Sequence, residues 1–341
     1  MGQDTTRPLR TALIGAGDMG SAHAMVWHFM KDTELVSVYD ADPTRAQRLA
    51  AAFRIPVVAR SLEEAIHRPE VDAVLIAVPA YHHLEPALMA ARFGKHIFCE
   101  KPIALTLEQA DRMIQAAEEA GVRLTVGFQR RHLALQRRLR DLITEGAIGR
   151  PVVAHYFDAL EIRPKRAMHD LAQGNGGPLI DQCGHYFDQW RMIFGAEPVR
   201  VTARGCTFAQ GRPELACIQE LAPDTASVLV EHDSGDLGTL FITWGLPPGV
   251  NLKREDCLLV GPKGAIRIHE MGLELLREGG RRETFFSDEL FLEVEARHWV
   301  QCLREGREPE VTAQDARKAL EVSWAAIRSL QTGEAVTLPL T

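Results

Sequence analysis

Two kinds of hydrophobic pattern alternate along the first third of the chain. Short runs such as VDAVLIAVP at 71–79 are apolar at nearly every position, whereas the stretches between them repeat apolar residues every three or four positions. The first pattern is typical of strands covered on both faces, and the second of amphipathic helices. The strands expected are 9–15, 34–40, 71–79, 95–102 and 123–128, and the helices expected between them are 18–31, 42–53, 82–94 and 106–121. This alternation predicts an α/β domain with a doubly wound parallel sheet.

A different pattern begins near residue 150, where apolar and polar residues mostly alternate and glycine and proline interrupt the runs. It predicts an α+β domain with an open, largely antiparallel sheet. The expected strands are 151–162, 199–208, 225–233, 237–245, 253–262 and 264–270, and the expected helices are 129–146, 185–195, 288–306 and 312–333. We therefore expect two domains, 1–127 and 128–341, with the last helix a candidate to pack back on the first domain. The uncovered face of the second sheet predicts a homodimer or homotetramer.

Composition excludes several classes of function. The net charge of −7 argues against binding to nucleic acid or anionic membranes, and no apolar stretch is long enough to span a bilayer. The six cysteines are scattered without a close pair, which indicates reduced thiols in a cytoplasm rather than disulfides or a zinc site. We expect a cytoplasmic protein that acts on a small molecule.

A glycine-rich turn, GAGDMG at 15–20, follows the first predicted strand and opens the first predicted helix. This context is the dinucleotide-binding Rossmann fingerprint, in which the first glycine permits the turn, the second lets a pyrophosphate approach and the third lets helix and strand pack closely. The helix N-terminus offers N–H groups to the phosphates. The residues expected to hold the cofactor are Gly15, Ala16, Gly17, Asp18, Met19 and Gly20. The alternative is a glycine turn without a ligand.

Asp40 ends the second predicted strand, twenty residues after Gly20. An acidic residue there accepts hydrogen bonds from the adenosine ribose hydroxyls and repels a 2′-phosphate, which favours NAD over NADP. Arg45 lies nearby and keeps NADP open as a second cofactor. A P-loop is excluded because no lysine follows Gly20.

Two further stretches carry candidate chemistry. Lys101, in CEKPI, follows a predicted parallel strand at the sheet edge where ligands bind in doubly wound folds, although a surface turn is the alternative. Asp181 and His185 lie four residues apart at the start of a predicted helix and share a face; a capping Asp with a structural His is the alternative. Zinc bound by Asp181, His185 and His169 is a further alternative, but no closely spaced Cys or His completes a set, so we expect no metal.

The order of GAGDMG, CEKP and GGPLIDQCGHYFD resembles the glucose–fructose oxidoreductase/inositol dehydrogenase (Gfo/Idh/MocA) family over nearly the whole chain. The resemblance implies an NAD(P)-dependent sugar or polyol dehydrogenase whose catalytic trio is Lys101, Asp181 and His185. It also implies a cis bond before Pro102. On this pattern, the residues beside the nicotinamide and its ribose are Pro79, His83, Glu100 and Lys101. Ala80 departs from the pattern, because the family often has Asn at that position.

The chemistry of alcohol oxidation fits these residue types. Removal of a hydride from a carbinol carbon requires a base for the hydroxyl proton, and histidine is the residue type that titrates nearest neutral pH. We favour His185 as the acid/base and Lys101 as the group that polarises the oxygen, with these roles open to exchange. Asp181 would orient His185 or bind a neighbouring hydroxyl.

A basic cluster precedes this block and is the candidate substrate-binding set, with a solvated loop as the alternative. Its members are Arg163, Lys165, Arg166 and His169. Two other functions stay open at this point. One is a redox-neutral reaction, such as epimerisation, elimination or glycoside cleavage, in which NAD stays bound. The other is a non-catalytic dinucleotide sensor, which would need none of the three catalytic candidates.

Overall fold

The computed structural model describes residues 7–252, 257–269 and 272–340. The chain forms two compact units, the first made of Met1–Gln129 and Leu290–Arg317 and the second of Arg130–Glu289 and Lys318–Thr341. The first unit thus contains a late segment of the chain as well as its N-terminal part. In chain order the α-helices are α1 (Asp18–Phe29), α2 (Pro43–Phe53), α3 (Leu62–Ile66), α4 (Leu84–Arg92), α5 (Leu107–Ala120), α6 (Ala134–Thr144), α7 (Gly177–Asp181), α8 (Cys183–Phe194), α9 (Phe291–Glu305) and α10 (Ala313–Thr332).

A six-stranded parallel sheet forms the centre of the first unit, in the order β3-β2-β1-β4-β5-β6. Its strands are β1 (Leu9–Ile14), β2 (Thr33–Tyr39), β3 (Val57–Val58), β4 (Ala73–Ile76), β5 (His96–Cys99) and β6 (Leu124–Val126). The strands end level with one another, since Ile14 pairs with both Tyr39 and Ile76. The residues that follow each strand therefore lie along one edge of the sheet, the edge where doubly wound folds bind ligands.

Helix caps explain why the helices of the first unit begin where they do. Asp42 accepts a hydrogen bond from the backbone of Thr44 and places Pro43 at the first position of α2. Thr106 and Gln109 form a reciprocal capping box at the start of α5. Helix α9 belongs to this unit, and its fully buried Trp299 packs edge-on against Phe98 of β5.

The second unit is built on a nine-stranded sheet in the order β14-β13-β12-β11-β7-β10-β9-β8-β15. Its strands are β7 (Val153–Glu161), β8 (Pro198–Cys206), β9 (Thr225–His232), β10 (Leu237–Leu246), β11 (Cys257–Gly261), β12 (Gly264–His269), β13 (Gly272–Arg277), β14 (Arg281–Phe286) and β15 (Val336–Thr337). All neighbouring pairs are antiparallel except β7 and β10, which run parallel. Helix α8 covers one face, with Trp190 fully buried against the sheet at Gly238.

These two architectures confirm the fold class predicted from the hydrophobic pattern. Six helices and strands lie outside the predicted ones: β3, α3, α7, β13, β14 and β15. Residues 253–256 and 270, which belong to predicted strands, lie outside the described residues. Within the described residues, no helix has the length and apolar character required to traverse a lipid bilayer.

Candidate functional site

The glycine turn after β1 is shaped by two contacts with its surroundings. Gly15 has φ +102°, and a Cβ there would lie 2.5 Å from the carbonyl oxygen of Ala77. A Cβ on Gly20 would collide with the carbonyl of Gly15, so the third glycine is needed for α1 to start this close to the strand. Gly17 is the N-cap of α1, and no described atom lies within 4 Å of the place its Cβ would occupy. A phosphate can therefore approach the backbone at Gly17.

Asp40 follows β2 and braces this turn. Its Oδ2 accepts a hydrogen bond of 2.7 Å from the backbone N–H of Ala16, and its Oδ1 accepts one of 2.8 Å from Asp42. Arg45 is largely exposed, with its Nε 3.4 Å from a carboxylate oxygen of Asp42. The position of Asp40 beside the glycine turn is the one that the spacing predicts.

Glu100 and Lys101 follow β5 on the same sheet edge. One carboxylate oxygen of Glu100 lies 2.6 Å from Nε2 of His23, and the other accepts a hydrogen bond of 3.1 Å from the backbone N–H of Lys101. A Cβ on Gly127 would lie 3.3 Å from the Glu100 carboxylate, so the backbone after β6 packs closely against that carboxylate. Burial raises the pKa of Glu100, but His23 and Lys101 outweigh burial and hold that pKa below its ordinary value. Both oxygens of Glu100 are thus engaged inside the first unit, where they fix the Lys101 turn.

His83 supports the same turn from the side of β4. Its Nδ1 lies 2.9 Å from the carbonyl oxygen of Pro102, and its Nε2 lies 2.8 Å from that of Val78. Burial lowers the pKa of His83, and the carbonyl contacts oppose the shift. The Lys101–Pro102 bond is cis, as the family resemblance implies. Both His83 and Pro79 are predicted to lie beside the nicotinamide. His83 is buried in the structure, whereas Pro79 is exposed to solvent.

Asp181 and His185 lie in the second unit, with 3% and 5% of their surfaces exposed. The prediction that one helix carries both is wrong, because α7 ends at Asp181 and α8 begins at Cys183. Gln182 joins the two helices with φ −95° and ψ −47°, which keeps the chain close to a helical path. Asn175 Nδ2 lies 3.5 Å from Asp181 Oδ2.

The glycines before α7 approach other parts of the protein. A Cβ on Gly174 would collide with the carbonyl of Ala167, and one on Gly177, which has φ +71°, would collide with Ala222. In the structure these glycines let the loop before α7 pack closely.

Two polar residues of α8 have structural partners. Asp188 forms a buried bidentate ion pair with Arg131, with N–O distances of 2.6 and 2.8 Å. Tyr186 donates a hydrogen bond of 3.0 Å to Asp158 of β7. Both side chains are at least 98% buried, so neither lies at a solvent-exposed rim.

The basic cluster separates into exposed and buried members. Lys165 and Arg166 are exposed, and an Arg166 nitrogen lies 3.4 Å from the sulfur of Cys217. The guanidinium of Arg163 lies 5.5 Å from the ring centre of Trp244. His169 is 1% exposed, its Nε2 donates to the carbonyl of Arg163, and burial lowers its pKa. His169 therefore holds the loop. It does not gather with Asp181 and His185 as a metal-ligand set in the part of the chain that the structure describes.

Comparison with known proteins bears directly on this arrangement. Residues 9–128 match the model of an oxidoreductase family with an NAD-binding Rossmann fold, and residues 136–267 match the GFO/IDH/MocA C-terminal domain. The scyllo-inositol 2-dehydrogenase (NAD(+)) of Bacillus subtilis is 30% identical, with 97% of this chain and 96% of that protein covered. The chain belongs to the Gfo/Idh/MocA family.

Other members of the Gfo/Idh/MocA family match along their full length. The myo-inositol 2-dehydrogenase of Thermotoga maritima is 29% identical over 97% of this chain and 98% of that protein. The crystal structure of the aldose-aldose oxidoreductase from Caulobacter crescentus is 25% identical, covers 97% of this chain and 100% of that one, and has a TM-score of 0.86.

The first unit fits the NAD that the Gfo/Idh/MocA family uses. Gly17 leaves open space at the start of α1, where the pyrophosphate would lie against backbone N–H groups. Asp40 stands at the end of the adjacent strand, where a ribose would reach its carboxylate. Asp18 and Met19, the first two residues of α1, are exposed beside Gly17. These residues would hold the dinucleotide along the carboxyl edge of the sheet.

Two residues of the first unit were not among the site residues predicted from the sequence. His23 lies on the buried face of α1, and its position three residues after Gly20 is the only local signal for its contact with Glu100. Glu295 of α9 is 2% exposed, and neither of its carboxyl oxygens has a hydrogen-bond partner among the described residues. Burial raises the pKa of Glu295 well above its ordinary value, and the charge of Glu100 raises it further.

Proposed function

We propose that this protein oxidises a secondary alcohol of a sugar, sugar derivative or cyclitol to a ketone, or catalyses the reverse reduction, with Lys101, Asp181 and His185 at the reacting carbon. The observation that carries the proposal is the construction around Lys101. Glu100 binds its backbone N–H, and His83 binds the carbonyl of the next residue, so the lysine is held at the cofactor edge of the sheet. The inositol dehydrogenases among the relatives support a polyhydroxylated substrate.

Each of the three residues has a defined task in this reaction. Bound NAD⁺ supplies an acceptor for the hydride that leaves the substrate carbon. His185 takes the hydroxyl proton as the C–O single bond becomes a carbonyl, and returns it in the reverse direction. The Lys101 ammonium donates a hydrogen bond to the same oxygen and stabilises the negative charge that develops there. Asp181 binds a neighbouring hydroxyl or orients the imidazole of His185. Of the basic cluster, we assign Arg163, Lys165 and Arg166 to substrate binding, with His169 holding their loop.

A panel of polyols and sugars tested with NAD and with NADP, followed at 340 nm, examines the activity directly. Lys101→Ala should lower kcat by about 100-fold or more, because it removes a group that acts on the reacting oxygen. The affinity for NAD, measured by titration, should change little. Lys31→Ala, which removes an exposed lysine of the same unit, is the matched control. Wild-type turnover by Lys101→Ala across the panel would contradict the role of Lys101.

We also propose that the second unit's sheet forms the interface of a homodimer or homotetramer. Its outer face carries a shallow hollow of about 350 Å³ bounded by residues of β7, β8, β9 and β10. Phe157 and Phe241 stack there with ring centres 5.3 Å apart, and Val260 is 40% exposed on β11. Light scattering after gel filtration should give a dimer or tetramer for the wild type and a smaller species for Phe241→Lys. A wild-type monomer would contradict this assignment.

The six cysteines are unpaired thiols, which supports a reducing compartment, and we propose the cytoplasm.

A further inference from the structure

Gln182 occupies the junction between Asp181 and His185. Its backbone N–H donates to the carbonyl of Pro178 at 3.0 Å, and its own carbonyl accepts from the N–H of His185 at 3.2 Å. The junction thus binds α7 on one side and the His185 turn of α8 on the other. Any rotation of the peptide units at Gln182 changes the position of His185 relative to Asp181.

The side chain of Gln182 is tied to a buried network. Its Nε2 donates a hydrogen bond of 3.2 Å to the hydroxyl of Tyr186, and that hydroxyl donates one of 3.0 Å to Oδ2 of Asp158. Asp158 is 2% exposed and lies on β7, near the middle of the sheet. A chain of two hydrogen bonds therefore joins the junction to a buried residue of the central strand of the sheet.

The phenol of Tyr186 is held in this position by its surroundings. Its ring lies 4.7 Å from the ring of Tyr156, and the guanidinium of Arg130 lies 5.0 Å from its ring centre. Burial raises the pKa of Tyr186, so the hydroxyl stays protonated and donates a hydrogen bond to Asp158. The hydroxyl accepts from Gln182 with its lone pair, and both interactions are made at once.

We propose that Tyr186 is a positioning residue for the reaction: anchored to Asp158, its hydroxyl fixes Gln182 and thereby the relative placement of Asp181 and His185. The inference rests on the proposed function only for its kinetic consequence. Tyr186 itself acts through Gln182 and does not take part in proton or hydride transfer.

Tyr186→Phe removes both hydrogen bonds and keeps the ring. The expected result is a fall in kcat of about 10- to 100-fold, since a displacement of about 1 Å at a reacting group costs about 100-fold. KM and the affinity for NAD should change less than about threefold, because the binding groups themselves are kept. The primary deuterium isotope effect on kcat should rise, because hydride transfer becomes slower relative to product release. A mere loss of folded protein would leave that isotope effect unchanged.

Tyr156→Phe is the matched control, since it removes a hydroxyl from the same aromatic cluster but leaves the bonds to Asp158 and Gln182 intact. Gln182→Met is a second variant that breaks the same chain at its other end and serves if Tyr186→Phe fails to fold. A normal kcat and isotope effect in both Tyr186→Phe and Gln182→Met would overturn the positioning role.

A readout without substrate separates this inference from the proposed function. The rate of His185 modification by diethyl pyrocarbonate, mapped by mass spectrometry, should rise about fivefold or more in Tyr186→Phe as the junction loosens, and stay at the wild-type value in Tyr156→Phe. Equal rates in all three proteins would overturn the inference even if the enzyme is active. Absence of turnover with any polyol, together with the expected rise, would contradict the proposed function alone.

Discussion

The imidazole of His23 and the carboxylate of Glu100 meet in the interior of the first unit, with His23 Nε2 2.6 Å from Glu100 Oε1. His23 comes from the helix that follows the glycine turn, and Glu100 from the residue before Lys101. The pair therefore couples the predicted phosphate-binding helix to the predicted catalytic lysine. Because the second Glu100 oxygen accepts from the Lys101 backbone, one buried carboxylate organises both features.

Glu100→Gln should lower the stability of the folded protein by about 1–3 kcal/mol at pH 7, because a hydrogen-bonded buried charge is replaced by a neutral amide that meets two donors. The pKa of Glu100 is held below its ordinary value of 4.5, so its contribution is full above that pH and is lost as the pH falls through the lower folded-state value. Urea unfolding between pH 3.5 and 7 should show the variant and wild type converging at the acid end. Glu118→Gln, at an exposed position on α5, is the control. A constant difference across this range would contradict the stabilising role of the Glu100 carboxylate.

Glu295→Gln should change the stability of the folded protein in the opposite direction and raise it. The pKa of Glu295 is raised well above its ordinary value of 4.5, so the folded protein keeps the proton while the unfolded chain loses it as the pH rises. The wild type is thus penalised increasingly above about pH 4.5, by up to about 1.4 kcal/mol per pH unit until the folded-state pKa is reached. The variant, which is always neutral, should gain stability relative to wild type between pH 5 and 8. Parallel stability curves for the two proteins would show that Glu295 titrates normally.

Asp40 offers a test of cofactor choice that separates its two contacts. Asp40→Asn keeps an oxygen for the N–H of Ala16 but removes the charge that repels a 2′-phosphate, so the ratio of NADP to NAD affinity should rise about tenfold, or about 1.4 kcal/mol. Asp40→Ala also removes the brace on the glycine turn and should weaken the binding of both cofactors. Titration of each protein with NADH and NADPH measures the ratio, with Arg48→Gln, at an exposed position on α2, as a control. An unchanged ratio in Asp40→Asn would mean that Asp40 does not select the cofactor.

The sequence predicts those parts of the site that depend on local spacing along the chain. It also predicts those that lie together because the parallel strands end level with one another. Gly15 and Asp40 each follow a parallel strand directly, so the strand pattern is enough to bring them together. The hydrogen bond from the Ala16 N–H to Asp40 is a consequence of this placement. The contact between His23 and Glu100 joins residues 77 positions apart through the packing of α1 on the sheet, which no local period encodes. Glu295 belongs to the same unit but lies on a helix that follows β7 to β14 of the second sheet in the chain.

Some of the elements that were not predicted have a signal in the sequence. Ser61 and Glu64 form the cap of α3, with the Ser61 hydroxyl accepting from the Glu64 N–H, and this spacing marks a helix start even for so short an element. Gly279 and Gly280 separate two alternating runs and indicate the hairpin of β13 and β14. The break at Gln182 had no such signal, since nothing in the sequence between Asp181 and the helix predicted over 185–195 marks a boundary between two helices.

A double-mutant cycle on Lys101→Ala and His185→Asn tests most directly whether these two residues serve one reaction. Each single variant should lower kcat/KM by about 100-fold or more, and the double variant should be no more than about tenfold slower than the slower single, because groups that act together on one oxygen are strongly non-additive. Losses that simply multiply, or a single variant with wild-type turnover, would contradict the claim that Lys101 and His185 act on the same substrate atom.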